Sequence, residues 1–259
     1  MRYDPGLNVE IQRDPMGFAY GAGVYGPKPE YRSLEAIRPS LLDPQAQGPE
    51  TVYAIAMDVA KEEHRPALDE RMLLFGVVTY AAGLLGKEPV RSQGHVHALS
   101  KHSQWSPPEL YEIWEGKAIV YMQEKVEDKP GPCYAVYAEA GSKVLVPPRW
   151  AHCAINADPS SPMTFAAWCD REYSFKYDEV RAYHGLAWYP LVEEGGAIQW
   201  KHNPRYKEGQ IICKESEDYG AFGIEKDVPI YVQFEKDLNK FQFISKPGLV
   251  KDLWDQFIP

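Results

Sequence analysis

From Thr51 onward the chain alternates short apolar runs, rich in β-branched and aromatic residues, with clusters of glycine, proline and charge. The runs Val52–Met57, Leu73–Ala81, Leu110–Trp114, Ala118–Gln123, Tyr134–Ala138, Val144–Val146 and Thr164–Trp168 read as strands. Breaks such as Glu127-Asp128-Lys129-Pro130-Gly131-Pro132 separate them. Many short strands at this spacing predict an antiparallel sandwich or barrel. Before Thr51 the texture differs. Proline and glycine are frequent, periodicity is weak, and the one short helix expected, within Ser33–Leu42, is interrupted by Pro39. Residues 1–50 therefore read as an arm on the main domain, and 51–206 as the barrel. Residues 207–259 read as an α+β extension. In it, Ile230–Phe234 and Lys240–Ile244 are expected as strands, while Leu249, Leu253, Trp254 and Phe257 mark one face of a helix. The extension is expected to pack on the barrel or on a second subunit.

The chain has 259 residues, 44% of them apolar, which suffices for a sizeable core and argues against disorder. A net charge of −9 argues against non-specific nucleic-acid or anionic-membrane binding. It does not exclude a small anionic substrate, which a few local donors can hold. Cys133, Cys153, Cys169 and Cys213 form no C-x-x-C pair and no disulfide framework. The starting segment lacks the apolar stretch of a signal peptide, and no apolar run is long enough to span a bilayer. A cytoplasmic protein with reduced thiols is expected.

The candidate chemistry is concentrated in two segments. Gly94-His95-Val96-His97 is followed after eleven residues by Glu109-Leu110-Tyr111, and Pro147-Pro148-Arg149-Trp150-Ala151-His152 by Asn156. On a strand, residues two apart share a face, so His95 and His97 offer two imidazoles to one site. Glu109 and His152 from neighbouring strands would complete a shell of three nitrogens and one oxygen, a set suited to Fe(II), Mn(II), Ni(II) or Zn(II). The loop Ser100–Pro108 lies between the two halves of the first segment, and His102 or Trp105 is placed to enter the site from it.

These segments resemble the two motifs of the cupin family, an all-β fold of double-stranded β-helix or jelly-roll barrels. Six residues separate Glu109 from Gly116, as in the first motif. Five separate Gly141 from Pro147, and three separate His152 from Asn156, as in the second. Counting six residues from Glu112 reaches Ile119, so the register selects Glu109 as the ligand. Arg149 stands where the second motif usually has glycine, which implies that the turn is made in another way.

Upstream, Gly86-Lys87-Glu88, then three residues, then Ser92-Gln93-Gly94-His95-Val96-His97 resembles the cupin-type phosphoglucose isomerases. So do Pro147 through Asn156, Thr51-Val52-Tyr53 and Asn203-Pro204-Arg205-Tyr206. The resemblance covers roughly residues 20–206. It implies one divalent metal, Fe(II) being expected ahead of Mn, Ni or Zn, held by His95, His97, Glu109 and His152. It implies that Glu109 and Tyr111 are catalytic, and that Tyr53, Thr79, Ser92, Gly94 and Tyr177 bind a sugar phosphate in a cytoplasmic homodimer. The expected reaction interconverts glucose 6-phosphate and fructose 6-phosphate. The chain departs from the family pattern at four places: Ser92 replaces a threonine but keeps the hydroxyl, Thr79 sits one residue nearer the Gly-x-Glu than the family's threonine, Ala82 or Gly83 replaces its proline, and Phe175 replaces a histidine of the sugar site. An offset of one on a strand turns a side chain to the other face. Two rival functions use the same shell: a cupin oxidoreductase such as an Fe(II) dioxygenase, and a non-catalytic sugar-phosphate-binding protein.

Overall fold

The computed structural model describes residues 3–207 and 209–259. Its frame is two sheets. One has six strands in the order Lys143–Val146, Glu109–Glu115, Met163–Asp170, Leu73–Tyr80, Thr51–Met57 and Glu30–Ser33. The other has four, in the order Ala151–Asn156, Lys117–Gln123, Cys133–Glu139 and Ile211–Glu215. All neighbours are antiparallel except the last pair. Non-consecutive strands lie side by side, and the two sheets enclose a core between their inner faces, the jelly-roll arrangement of a cupin barrel.

Both sheets are covered on both faces, which explains why the strands read as continuous apolar runs rather than as clean alternation. In Lys117–Gln123, Ala118, Val120 and Met122 point into the barrel, while Ile119 and Tyr121 pack outward against Val180, Leu186 and Tyr206. In Leu73–Tyr80, Leu74, Val78 and Tyr80 point inward, while Leu73, Phe75 and Val77 face the C-terminal segment. Period two therefore decides which of two cores a residue enters.

The C-terminal segment corrects one expectation. Ile230–Lys236 and Gln242–Ser245 are helices, not strands, and a short helix follows at Lys251–Trp254. Ile230, Tyr231 and Phe234 are fully buried on one side of the first helix, against Phe75 and Trp168 of the six-stranded sheet. The spacing i, i+1, i+4 is helical. The β-forming residue types Ile, Tyr, Val and Phe masked it over so short a run. Glu112, fully buried on the outer face of its strand, accepts the Ile230 N–H at 2.9 Å and the Trp114 indole N–H at 3.1 Å, with Lys143 Nζ at 3.5 Å. This paired carboxylate fastens the helix to the barrel.

Residues before Thr51 also enter the frame. Glu30–Ser33 pairs with Thr51–Met57 and puts Arg32 opposite Tyr53. Ser33 caps the short helix Leu34–Ile37. Among the described residues no helix is long and apolar enough to cross a membrane.

Candidate metal centre

The fold brings four side chains together at the barrel interior. One potential ligand atom each from His95, His97, Glu109 and His152 lies within 4.8 Å of the others. Glu109 opens its strand on the inward parity shared with Tyr111 and Ile113. His95 is held against the next sheet by two backbone hydrogen bonds with His152, 3.1 and 3.0 Å long. His95 and His97 lie on one side of their short extended segment, with ring centroids 5.0 Å apart. Gly116, the glycine of the first motif, has φ +79°, and a Cβ there would stand 2.6 Å from the Pro162 carbonyl oxygen. Only glycine makes this turn. At the second motif, Arg149 has φ +74°, the left-handed conformation that a glycine would adopt. The expectation that this turn is made differently is thus corrected: the backbone path is kept and arginine bears its strain.

The donor set fits a divalent cation. His97 Nδ1 lies 2.8 Å from the Pro107 carbonyl oxygen and His152 Nδ1 lies 3.1 Å from that of Trp150. Each carbonyl accepts an Nδ1–H, which leaves each Nε2 with its lone pair. Those lone pairs face Glu109 Oε2 at 3.3 and 3.1 Å. Lone pairs so opposed call for a cation between them. The Nε2 atoms of His95 and His97 are buried without a hydrogen-bond partner. Burial, then the neighbouring His152 and His97, push the His95 imidazole well below its ordinary pKa, which favours the neutral form that ligates metals. Burial would raise the Glu109 carboxyl, but hydrogen bonds and charge supplied by His152 and His97 in their protonated form outweigh it and hold the group well below the usual carboxylate range; a cation between them would act in the same direction.

The cluster opens on a cavity whose lining includes Arg32, Tyr53, Tyr80, Ser92, Gln93, Gly94, Glu109, Tyr111, Phe175 and Tyr177. Burial, and then the adjacent Glu109 charge, push the Tyr111 phenol far above its ordinary value, so it remains a donor. Cys169 donates its S–H to Glu109 Oε1 at 3.3 Å. Tyr53 stacks on Tyr80 at 4.9 Å between centroids. Ser92 Oγ accepts the Ala154 N–H, which leaves its own proton to donate. Burial pushes the Tyr177 phenol up to about 12.

Several sequence-predicted residues lie elsewhere. Thr79 does not face the cavity. It lies on the outward parity of its strand, where Oγ1 meets Thr164 Oγ1 at 2.9 Å and accepts from Arg13 at 2.8 Å. The offset of one residue is not absorbed by a bulge, so Tyr80 takes the inward place. Neither His102 nor Trp105 lines the cavity. Glu88 is structural: its carboxylate accepts the Leu42 N–H and the Arg91 Nε–H at 2.8 and 2.7 Å. Arg91 in turn donates to the Ser40 and Ser92 carbonyls, which sets the path of the loop carrying Ser92 and Gly94. Reading from sequence missed Arg32, Tyr80, Gln93 and Cys169. Strand parity points to Tyr80 only once the unbroken register of its strand shows that no bulge intervenes.

Fold and site together define a cupin with a three-histidine, one-glutamate cluster suited to metal binding. The model of the glucose-6-phosphate isomerase (GPI) family matches residues 34–208, and the chain belongs to that family. Relatives are glucose-6-phosphate isomerases of Thermococcus onnurineus, 29% identical over 52% of this chain and 65% of that one, and of Thermococcus litoralis, 26% identical over 70% and 88%. The alignment with the first thus spans just under two thirds of that relative's length. Among solved structures, an oxalate oxidase shares 14% identity at a TM-score of 0.35, over 46% of this chain and 51% of that one.

Proposed function

We propose that this chain interconverts glucose 6-phosphate and fructose 6-phosphate with one divalent cation, Fe(II) or else Mn, Ni or Zn, held by His95, His97, Glu109 and His152. The observation that carries this reading is the cluster's position in a cavity that also presents Tyr53, Ser92, Gly94, Tyr111 and Tyr177. The cation, when bound, supplies the positive charge that stabilises an oxyanion developing at C1 or C2.

The protein's own groups divide the remaining work. Glu109 Oε2 accepts from Tyr111 and faces the His152 and His97 Nε2 atoms across the cation site, whereas Oε1 has only the weak Cys169 thiol. Oε1 is therefore the oxygen available to move a proton between C1 and C2. Tyr111 fixes the carboxylate plane by its 2.9 Å hydrogen bond. Tyr53, Ser92 and the Gly94 N–H receive the phosphate, and Tyr177 meets the sugar. Phe175, with its ring 4.4 Å from that of His95, covers the cluster and excludes water.

A coupled assay of fructose 6-phosphate to glucose 6-phosphate tests the proposal, using EDTA-treated protein and protein reloaded with each metal. Turnover restored by one metal is the expected result, and no turnover with any of them refutes it. Phe175, an apolar ring where the family has histidine, favours a second reading, a sugar-phosphate-binding protein without turnover; binding with no product in this assay would establish it. A homodimer in the cytoplasm completes the proposal, and light scattering measures the oligomeric state.

A further inference from the structure

Arg32 is a cation of the cavity wall that lacks a counter-ion. It lies across from Tyr53 in the register of the Glu30–Ser33 strand, just outside the family match. Its side chain lines the cavity together with Tyr53, Ser92, Gln93, Gly94 and Tyr177. Its Nε is shut off from solvent and has no hydrogen-bond partner. Among the described residues, the arginines paired with carboxylates are Arg13, Arg38, Arg71, Arg91, Arg171 and Arg181, and not Arg32. Its Cζ lies 6.0 Å from the centre of the Tyr53 ring, and its charge and a hydrogen bond to the Tyr53 hydroxyl oppose the rise that burial gives that phenol, so Tyr53 meets part of the guanidinium and Nε is the donor left over.

An orphaned donor in a cavity is costly unless a ligand meets it. A guanidinium is planar, stays charged, and matches phosphate oxygens with two parallel N–H groups. The surroundings suit an anion further. Arg181 holds Gln93 Oε1 at 3.0 Å and stands over the Tyr177 ring at 5.4 Å. The charges of Arg32 and Arg181 thus both act at Tyr177, although Arg181 also pairs with the exposed Asp178 at 3.9 Å, in a chain whose net charge is −9. Such local charge is what draws a dianion to an otherwise acidic protein.

We infer that Arg32 is a specificity-determining residue of this site: its guanidinium takes the phosphate dianion and selects phosphorylated sugars over free ones. The inference rests on the sugar-phosphate reading above. It adds a charged anchor to the neutral donors of Tyr53, Ser92 and Gly94.

The test uses metal-loaded protein and Arg32→Gln. The KM for fructose 6-phosphate should rise by about tenfold to a hundredfold, as for loss of hydrogen bonds to a charged group, with metal content unchanged. Inorganic phosphate, titrated calorimetrically, should bind the parent protein and not the variant. An unchanged KM and unchanged phosphate affinity overturn the assignment. If the parent protein shows no turnover, the isomerase reading fails by itself, and the phosphate titration still decides Arg32: loss of binding in the variant supports it and equal binding overturns it. Should Arg32→Gln not fold, phenylglyoxal labelling of the parent protein, mapped by mass spectrometry, replaces it. Inorganic phosphate then shields Arg32 from the reagent if Arg32 is the anchor, and undiminished labelling overturns the inference.

Discussion

The Tyr111 hydroxyl donates to Glu109 Oε2 at 2.9 Å from two positions along the same strand. Both side chains point into the barrel because the pleat repeats every two residues. The phenol is held protonated by burial and by Glu109 itself. Tyr111→Phe keeps the ring and its packing against Phe165 but removes this donor. A hydrogen bond to a charged group is worth ~1.5–3 kcal/mol, so kcat should fall about tenfold to a hundredfold with the metal retained. Steady-state kinetics on metal-saturated protein reads this, and wild-type kcat would show that Tyr111 only packs.

Removal of one imidazole tests the cluster. Purified protein should carry about one divalent ion per chain, and His97→Ala should lose most of it. The ring's Nε2 has no other partner, while its Nδ1 is already tied to Pro107. Elemental analysis after desalting measures the occupancy. Full occupancy in the variant would place the ion elsewhere.

Glu109→Gln separates ligation from proton transfer. Three imidazoles remain, so metal affinity should fall modestly. Isomerisation at saturating metal should fall by ~10²–10⁴-fold, the range for loss of a general base. Near-normal turnover by the fully metallated variant would remove Glu109 from the chemistry and favour a hydride shift. Uptake of solvent deuterium into product distinguishes the two routes.

Tyr53 and Thr79 were both expected at the sugar phosphate, and the structure separates them. Tyr53→Phe or Ser92→Ala should raise KM for the sugar phosphate. Thr79→Val should leave KM alone, because its Oγ1 lies on the outer side of the sheet with Thr164 and Arg13. Its cost should appear as stability, ~1–2 kcal/mol, read by denaturant unfolding. A KM effect for Thr79→Val would mean that the strand register is wrong.

Phe234 tests the C-terminal helix. It is fully buried against Trp168. Phe234→Ala should destabilise the fold by ~3–5 kcal/mol without changing the metal content of the folded protein. A loss under 1 kcal/mol would show that the helix does not share the barrel's folding unit.

The sequence by itself determined the barrel strands and the four candidate ligands. Strand signals survive in local composition, and a metal set demands particular residue types at a spacing that the pleat makes meaningful. Register chose Glu109 over Glu112, and the structure puts Glu109 inside the barrel and Glu112 outside, bonded to Ile230. The tertiary structure alone decided which face Thr79 and Tyr80 present, since parity depends on whether a bulge intervenes. It also decided that Ile230–Lys236 coils, because burial against Trp168 overrides the strand preference of Ile, Tyr and Val. Arg32 was illegible for a related reason. Nothing near it in the chain marks it as more than a surface cation in an arm. Only pairing of its strand with Thr51–Met57 carries it beside Tyr53 and leaves its Nε without a partner. Sequence records the chemistry a residue can do; long-range pairing decides what that chemistry faces.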